Sequence, residues 1–235
     1  MKPKTIFKLS VDLAMAVLLV FQMAFQVSGQ QAHEWAGTAM IALFLAHNLL
    51  NVGWYKNLFT GTYTAVRIFR ATVNLLVLVS VISLAISGAV MSGYVLGFLT
   101  IDGAMALARL LHLAASSWAF VLMSMHLGLH GGMIHAVLKK PLKQIPLLAL
   151  PVTMLRIAAL AIAGYGAWAF YKANMASYMF VLIEFAFLDY EKSPVTVFAD
   201  HIAMMGLWIC IGHYAAKLLK NRERHGKETE RRTWN

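Results

Sequence analysis

The segment Leu107–His135, LARLLHLAASSWAFVLMSMHLGLHGGMIH, is a long apolar run that still carries four histidines. A run of this length is a candidate membrane-spanning helix, because about 20 apolar residues cross the hydrocarbon core. Ionisable side chains inside such a span are costly and by default mark a functional site. The segment contains His112 and His126, 14 residues apart, followed by His130 and His135; the same spacing of 14 separates His33 from His47 upstream.

The composition is that of an integral membrane protein. Of the 235 residues, 60% are hydrophobic and 13% are charged, and the mean hydropathy is +0.67. These values exclude an ordinary soluble domain. The formal net charge of +10 does not indicate nucleic-acid binding, because the basic residues cluster between apolar runs instead of forming a stripe on a polar domain.

Apolar runs predict an all-α protein with six transmembrane helices, since only helices satisfy their own backbone groups in lipid without a closed barrel. Gly29 and the two glutamines after it predict a tight turn, so the first two helices should be antiparallel. The segment 176–190 is apolar but short and contains two acidic residues; we interpret it as an outer interfacial helix in preference to a re-entrant or crossing segment. The six spans cover about 6–28, 33–54, 65–92, 105–138, 148–171 and 195–219.

The basic residues predict the topology. Nearly all of them fall at the ends that lie together if the N-terminus is cytoplasmic, and the acidic residues collect at the other ends. This positive-inside asymmetry places both termini in the cytoplasm. The inner group is Lys2, Lys4, Lys8, Lys56, Arg67, Arg70, Lys139, Lys140, Lys143 and the tail from Lys217 to Arg232; the outer basic residues are Arg109, Lys172 and Lys192.

Three regions follow from this topology. Residues 1–138 should form a four-helix core that contains the two spaced pairs of histidines. Residues 139–220 should add two transmembrane helices and the interfacial segment near 176–190. Residues 221–235 read as a polar cytoplasmic tail.

The histidine spacing predicts two ligand pairs. Fourteen residues make close to four helical turns and rise about 21 Å, so two histidines at that spacing share a face at different depths. The second and fourth spans run parallel, which pairs His33 with His112 near the outer surface and His47 with His126 deeper. Facing helices of a bundle can supply the two axial ligands that a haem iron needs. The single cysteine, Cys210, rules out a C-x-x-C-H attachment motif, so both haems would be non-covalent, b-type haems.

Several alternatives remain open from the residues alone. A membrane histidine can simply hydrogen-bond a neighbouring helix, and zinc would need a compact cluster of ligands. His130 lies one turn beyond His126 and could replace it as the ligand, or lie near a quinone. His201 and His213 are 12 residues apart, which turns them roughly 120° from each other, so they do not fit the same template.

Other residues are secondary candidates. Arg109, one turn before His112, could pair with haem propionates, and Gly37 and Gly128 could leave room for a porphyrin, although small residues also let membrane helices approach closely. Asp12 and Gln22 are candidates for a proton or quinone path. Three arginines are inner propionate candidates or topology anchors: Arg67, Arg70 and Arg156.

Five stretches also carry a family resemblance: HEWAGTAM (33–40), AHNLLNVGWYKNLFTGTY (46–63), ARLLHLAASSWAFVLMSMHLGLH (108–130), FLDYEKSP (187–194) and DHIAMMGLWICIGHY (200–214). They resemble an uncharacterised bacterial family regarded as transmembrane b-type cytochromes. The histidine pattern is similar in logic to the two-helix, four-histidine core of respiratory cytochrome b. The resemblance implies a partner, an extracytoplasmic FMN-binding flavoprotein that exchanges electrons with the membrane quinone pool. It assigns no ligand role to His201 or His213.

The resulting hypothesis is a diheme cytochrome b that moves electrons across the membrane. Two alternatives stand beside it. The chain could be the haem-bearing membrane anchor of a dehydrogenase, hydrogenase or reductase complex. It could also be a haem-free transporter whose histidines relay protons or bind a metal.

Overall fold

The computed structural model describes residues 3–98, 103–131 and 152–233, and the side chains of these residues except those of residue 152 and of residues after 225. This part of the chain is helical and contains no strand, as the sequence predicts. The eight helices described are α1 (Pro3–Met23), α2 (Phe25–Leu50), α3 (Val52–Lys56), α4 (Ala65–Met91), α5 (Met105–Leu129), α6 (Val152–Lys172), α7 (Met175–Met179) and α8 (Pro194–Thr233).

Five of these helices, α1, α4, α5, α6 and α8, are long and apolar enough to cross a membrane. The chain is therefore a multi-pass membrane protein, as predicted. Helix α2 has 26 residues, which is also long enough to cross, but its first turns carry three glutamines, His33 and Glu34. The structure therefore supports five of the six predicted spans, and the span formed by α2 stays a prediction from the sequence.

The chain reverses direction from α1 to the main part of α2, close to the glycine of the predicted turn. Gly29 has φ 71° and ψ 173°, which interrupts the helical backbone of α2 after its first turn. A positive φ of this kind is readily adopted only by glycine. The Lys8 Nζ then donates to Asn51 Oδ1 at 3.0 Å, which joins the start of α1 to the end of α2. The two helices are antiparallel neighbours.

Cross-links between helix ends define two ends of the bundle. At the Lys8 end, the Val66 N–H donates to the Glu223 Oε1 at 3.0 Å, so the start of α4 meets the far part of α8. At the opposite end, which we call the Glu34 end, Ser92 Oγ after α4 donates to Glu34 Oε2 at 2.8 Å. The helices α1, α2 and α4 therefore alternate in direction.

The closest helix contacts are made at glycines. A methyl group at Gly128 of α5 would collide with the backbone oxygen of Ile209 in α8, and one at Gly212 would collide with the backbone oxygen of Met125. Helix α6 meets α8 in the same way at Gly166. Small residues allow such backbone approach in membrane bundles. Gly128 thus serves helix packing; the expectation that it leaves room for a porphyrin is not what the structure shows.

Two apolar clusters fill the bundle. One lies midway along α2 and α5, where Phe120 is fully buried and packs with Met40, Leu19 and Met204. The other surrounds Phe44 and is completed by Val73, Val77, Val81, Leu122, Leu129 and Ala216. Because Met40 and Phe120 each fall about halfway between the two histidines of their helix, the first cluster separates the two predicted ligand depths.

The segment 176–190 differs from the predicted interfacial helix. Helix α7 has five residues, and its Met175, Tyr178 and Met179 are buried in the core. The Trp118 indole N–H donates to the Met179 carbonyl oxygen at 2.9 Å. Val181 then has φ 55°, a left-handed conformation that helices do not contain. The start of the segment is therefore anchored inside the bundle, and the rest follows as irregular chain.

The ends of two other predicted spans also differ. Helix α8 continues to Thr233, so most of the segment interpreted as a polar tail, 221–235, is helical. Helix α5 ends at Leu129, whereas the fourth span was predicted to reach residue 138. His135, the basic residues at 139–143 and the two prolines after them lie outside the described residues.

Two glycines provide a matched test of the packing between α5 and α8. The variant Gly128→Ala should destabilise the protein by about 1–3 kcal/mol, since its methyl group meets backbone that cannot rotate away. Gly164→Ala is the control, because nothing lies within 4 Å of a methyl group there. Thermal unfolding in detergent should show a lower midpoint for the first variant only. Equal midpoints would contradict the close approach.

Candidate functional site

The four histidines at matched spacing meet in two pairs across α2 and α5. The ring centroids of His33 and His112 are 6.1 Å apart, with an interplanar angle of 66°. Those of His47 and His126 are 6.3 Å apart, with an angle of 77°. The structure therefore brings together the same partners that the spacing predicts.

The separation within each pair has a chemical meaning. A metal–imidazole bond of about 2 Å, plus about 1.1 Å from nitrogen to ring centre, counted on both sides, adds up to roughly 6 Å. Two imidazoles in direct hydrogen-bond contact would lie closer together. The spacing of both pairs would suit two imidazoles that share one metal ion, and it also lies within the usual range for rings packed edge to face.

The hydrogen bond that a histidine makes through Nδ1 shows that its Nε2 is left to bind a metal. The Nδ1 of His112 lies 3.1 Å from Ser87 Oγ. The Ser87 hydroxyl donates its own proton to the Ser83 carbonyl oxygen at 2.7 Å, so its oxygen accepts from His112. Nδ1 of His112 then carries the proton, and Nε2 offers a lone pair. Fixing the tautomer through the second nitrogen is how proteins orient metal-binding histidines.

His47 is fixed in the same way by a carboxylate. Its Nδ1 lies 2.7 Å from Asp12 Oδ1 on α1. An ionised carboxylate can only accept, so Nδ1 of His47 is the donor and Nε2 is free to bind a metal. One histidine in each pair is thereby held in the tautomer that ligation requires.

The other two histidines contact side-chain amides. The Gln22 amide lies 3.1 Å from His33 Nδ1, and the Asn74 amide lies 2.8 Å from His126 Nδ1. With the nitrogen of Asn74 facing His126, its oxygen also accepts from the Trp54 indole. A metal on Nε2 would require the oxygen to face Nδ1 instead, which a rotation of the amide group provides.

Helices α2 and α5 face each other through side chains, among them the paired histidines, and their backbones approach each other little. Within the described residues, α2 packs mainly on α1, and α5 packs on α4 and α8. Packed helices usually lie 8–10 Å apart, axis to axis. A pair of helices that is held apart but carries facing histidines could accommodate a flat metal macrocycle at each depth.

A compact protein-only metal site is a poorer match. Within the described ranges no group of three or more histidine, cysteine, aspartate or glutamate side chains is placed to hold a metal ion. A structural zinc ion normally takes four such ligands. Two facing histidines alone would leave coordination positions of a bound metal to other donors.

The secondary candidates differ in their surroundings. The His130 ring centroid is 4.8 Å from that of His126, at the C-terminal end of α5. Arg109 is exposed on α5, one turn from His112. A methyl group at Gly37 would come within 2.8 Å of Gln22 Nε2, so this glycine makes room for the amide that reaches His33. Arg67 donates to the Asn57 carbonyl oxygen at 2.6 Å and secures the loop before α4.

His201 and His213 belong to a different surface. The His201 Nδ1 lies 2.8 Å from the Val197 carbonyl oxygen, and its ring is 6.0 Å from that of Phe120. His213 lies beside Gly131 and packs edge-on against Tyr214. Within the described residues, neither ring is paired with another histidine.

Sequence reasoning missed the hydrogen-bond partners on α4. Asn74 is an amide in an otherwise apolar run, which is a usable signal; Ser87 gives none, because serine often bonds its own helix. Asp12 and Gln22 were singled out, but for a proton or quinone path and not as partners of His47 and His33.

Glu34 makes a structural contact beside the first pair that the sequence did not reveal. Its carboxylate accepts from the backbone N–H groups of Gly93, Tyr94 and Val95 at 2.8–3.1 Å and from the Ser92 hydroxyl. Hydrogen bonds to an ionised carboxylate are stronger than neutral ones. This contact ties the residue next to His33 to the end of α4.

Comparison with protein-family models, with curated proteins and with solved structures found no match to this chain. The site is therefore interpreted from its own geometry.

The Glu34 contact can be tested by substitution. Glu34→Ala should leave three backbone N–H groups without their acceptor and destabilise the protein by about 1–3 kcal/mol. Hydrogen exchange at residues 93–95 should accelerate, as measured by mass spectrometry. The matched control is Glu184→Ala, which removes an exposed carboxylate. Unchanged exchange at residues 93–95 would contradict the role assigned to Glu34.

Proposed function

We propose that this chain is a diheme b-type cytochrome that transfers electrons across a bacterial cytoplasmic membrane. The observation that carries the proposal is the presence of two facing histidine pairs at different depths, with ring separations of 6.1 and 6.3 Å. A haem bound between the rings of each pair supplies one-electron iron chemistry. The rise of a helix between the pairs is about 21 Å, which makes each pair a separate site.

The protein's own residues hold and orient the ligands. His33 and His112 form one site, His47 and His126 the other. Ser87 and Asp12 fix the protonated nitrogen of their partners, which raises the basicity of the ligating nitrogen. Tuning of this kind sets reduction potentials in haem proteins.

An apolar cluster lies between the two sites and separates them from each other. Phe120 is fully buried in it and packs with Met40 and Leu19. A low-dielectric layer at this depth keeps ions and water out of the interior. Charge can then cross the bundle as an electron between the two sites without an accompanying ion path.

The two ends of the bundle differ in the partner they would meet. We assign the Glu34 end, with the His33–His112 pair, to the outer face, where an FMN-binding flavoprotein or another redox subunit would dock. The Lys8 end, with the His47–His126 pair, is assigned to the cytoplasmic side, and exchange with membrane quinone completes the pathway. Support for these assignments comes from the positive-inside charge distribution and from the family resemblance.

An absorption spectrum tests the proposal. Protein purified in detergent after expression with ample haem supply should give a b-type spectrum on reduction with dithionite, with about two haems per chain by pyridine assay and iron content. Colourless protein would overturn the proposal. Transport that depends on His126 or His130 in such a protein would support the transporter alternative.

Alanine variants test the pairing. His33→Ala and His112→Ala should each affect the same haem, while His47→Ala and His126→Ala should affect the other, because each pair shares one site. Haem content and redox difference spectra provide the measurement. His201→Ala and His213→Ala are controls that should keep both haems. A variant His130→Ala that loses a haem, with His126→Ala retaining it, would transfer the ligand role to His130.

A further inference from the structure

We infer that Asp12 makes the His47–His126 site the one with the lower reduction potential. This inference rests on the proposed function, since it concerns the potentials of bound haems. The structural asymmetry behind it lies in the hydrogen bonds to Nδ1 of the four paired histidines. One of these bonds ends on a carboxylate, and the other three end on neutral groups.

The two sites are otherwise built alike. Each has one amide partner, Gln22 for His33 and Asn74 for His126. Each also has a second partner, and here they differ. At the His33–His112 site it is the hydroxyl oxygen of Ser87 at 3.1 Å; at the His47–His126 site it is the Asp12 carboxylate at 2.7 Å.

A carboxylate acceptor changes the electronic character of the ligand. It draws the Nδ1 proton towards itself, which gives the imidazole more imidazolate character and makes Nε2 a stronger donor to iron. A stronger, more negative donor stabilises ferric iron, which carries the extra positive charge, more than ferrous iron. The reduction potential of that site therefore falls.

Other charges near the two sites act through space and not through a hydrogen bond to a paired histidine. Lys8, one turn from Asp12, donates to Asn51 at 3.0 Å, and Arg70 on α4 is exposed at the same end. At the other site, Glu34 adjoins His33 in sequence, but its charge is directed to the backbone N–H groups after α4. Only Asp12 acts through the ligand itself.

The order of potentials sets a direction. With haem bound at both sites, an electron would pass from ferrous iron held by His47 and His126 to ferric iron held by His33 and His112, which would leave the first ferric and the second ferrous. With the lower potential at the Asp12 site, this transfer is downhill. In the proposed topology it runs from the cytoplasmic side outwards.

A potentiometric titration of the detergent-purified holoprotein, followed by haem absorbance, tests the inference. The double variants His33→Ala/His112→Ala and His47→Ala/His126→Ala each isolate one haem, which assigns the two midpoints. The haem left by the first double variant should have the more negative midpoint. The variant Asp12→Asn keeps an acceptor oxygen without the charge, and it should shift this midpoint to more positive values while the other midpoint stays in place.

Two controls complete the design. Asp12→Glu retains the charge and should keep the original order of midpoints, and Asp189→Asn removes an exposed carboxylate in the irregular segment and should change neither midpoint. A His47–His126 midpoint at or above the other one would overturn the inference, as would an Asp12→Asn variant with both midpoints unchanged. If Asp12→Asn loses its haem, the double variants decide alone. Absence of haem from the wild-type protein would instead overturn the proposed function.

Discussion

The hydrogen bonds to Nδ1 of the paired histidines organise the candidate site. All four come from a helix other than the histidine's own: α1 provides Asp12 and Gln22 for α2, and α4 provides Asn74 and Ser87 for α5. The bundle core thus consists of two similar helix pairs, each with one ligand helix and one supporting helix. His47 and His112, which donate from Nδ1, would need little rearrangement to bind a metal through Nε2, whereas His33 and His126 would need their amide partners rotated.

This arrangement also explains how the helices are spaced. The ligand helices α2 and α5 face each other through side chains, so the close packing that stabilises a membrane bundle must come from other pairs. It is found between α5 and α8 at Gly128 and Gly212, and between α6 and α8 at Gly166. Helices beyond the four-helix core therefore hold its α5 in position, and the short helix α7 adds buried contacts at the depth between the histidine pairs.

The sequence predicts features that lie within one helix, but not the contacts that connect distant helices. The spans and the histidine pairs follow from hydropathy and from a spacing of 14 residues, which are local properties of single helices. Ser87 was not predicted as a partner of His112, because its hydroxyl also bonds its own helix and only the rotation of α4 against α5 brings the two together. The segment 176–190 was assigned to the interface because its composition suits a surface, yet its start is buried against Phe120.

The sequence by itself determined that this is a multi-pass helical membrane protein with histidines at matched depths on two helices. Apolar length and helical periodicity encode that information within each segment. The tertiary structure decided which nitrogen of each imidazole is occupied, that Gly37 and Gly128 serve α1 and α8, and that Asp12 bonds a paired histidine. Such relations depend on the rotation and separation of packed helices, which no single segment specifies.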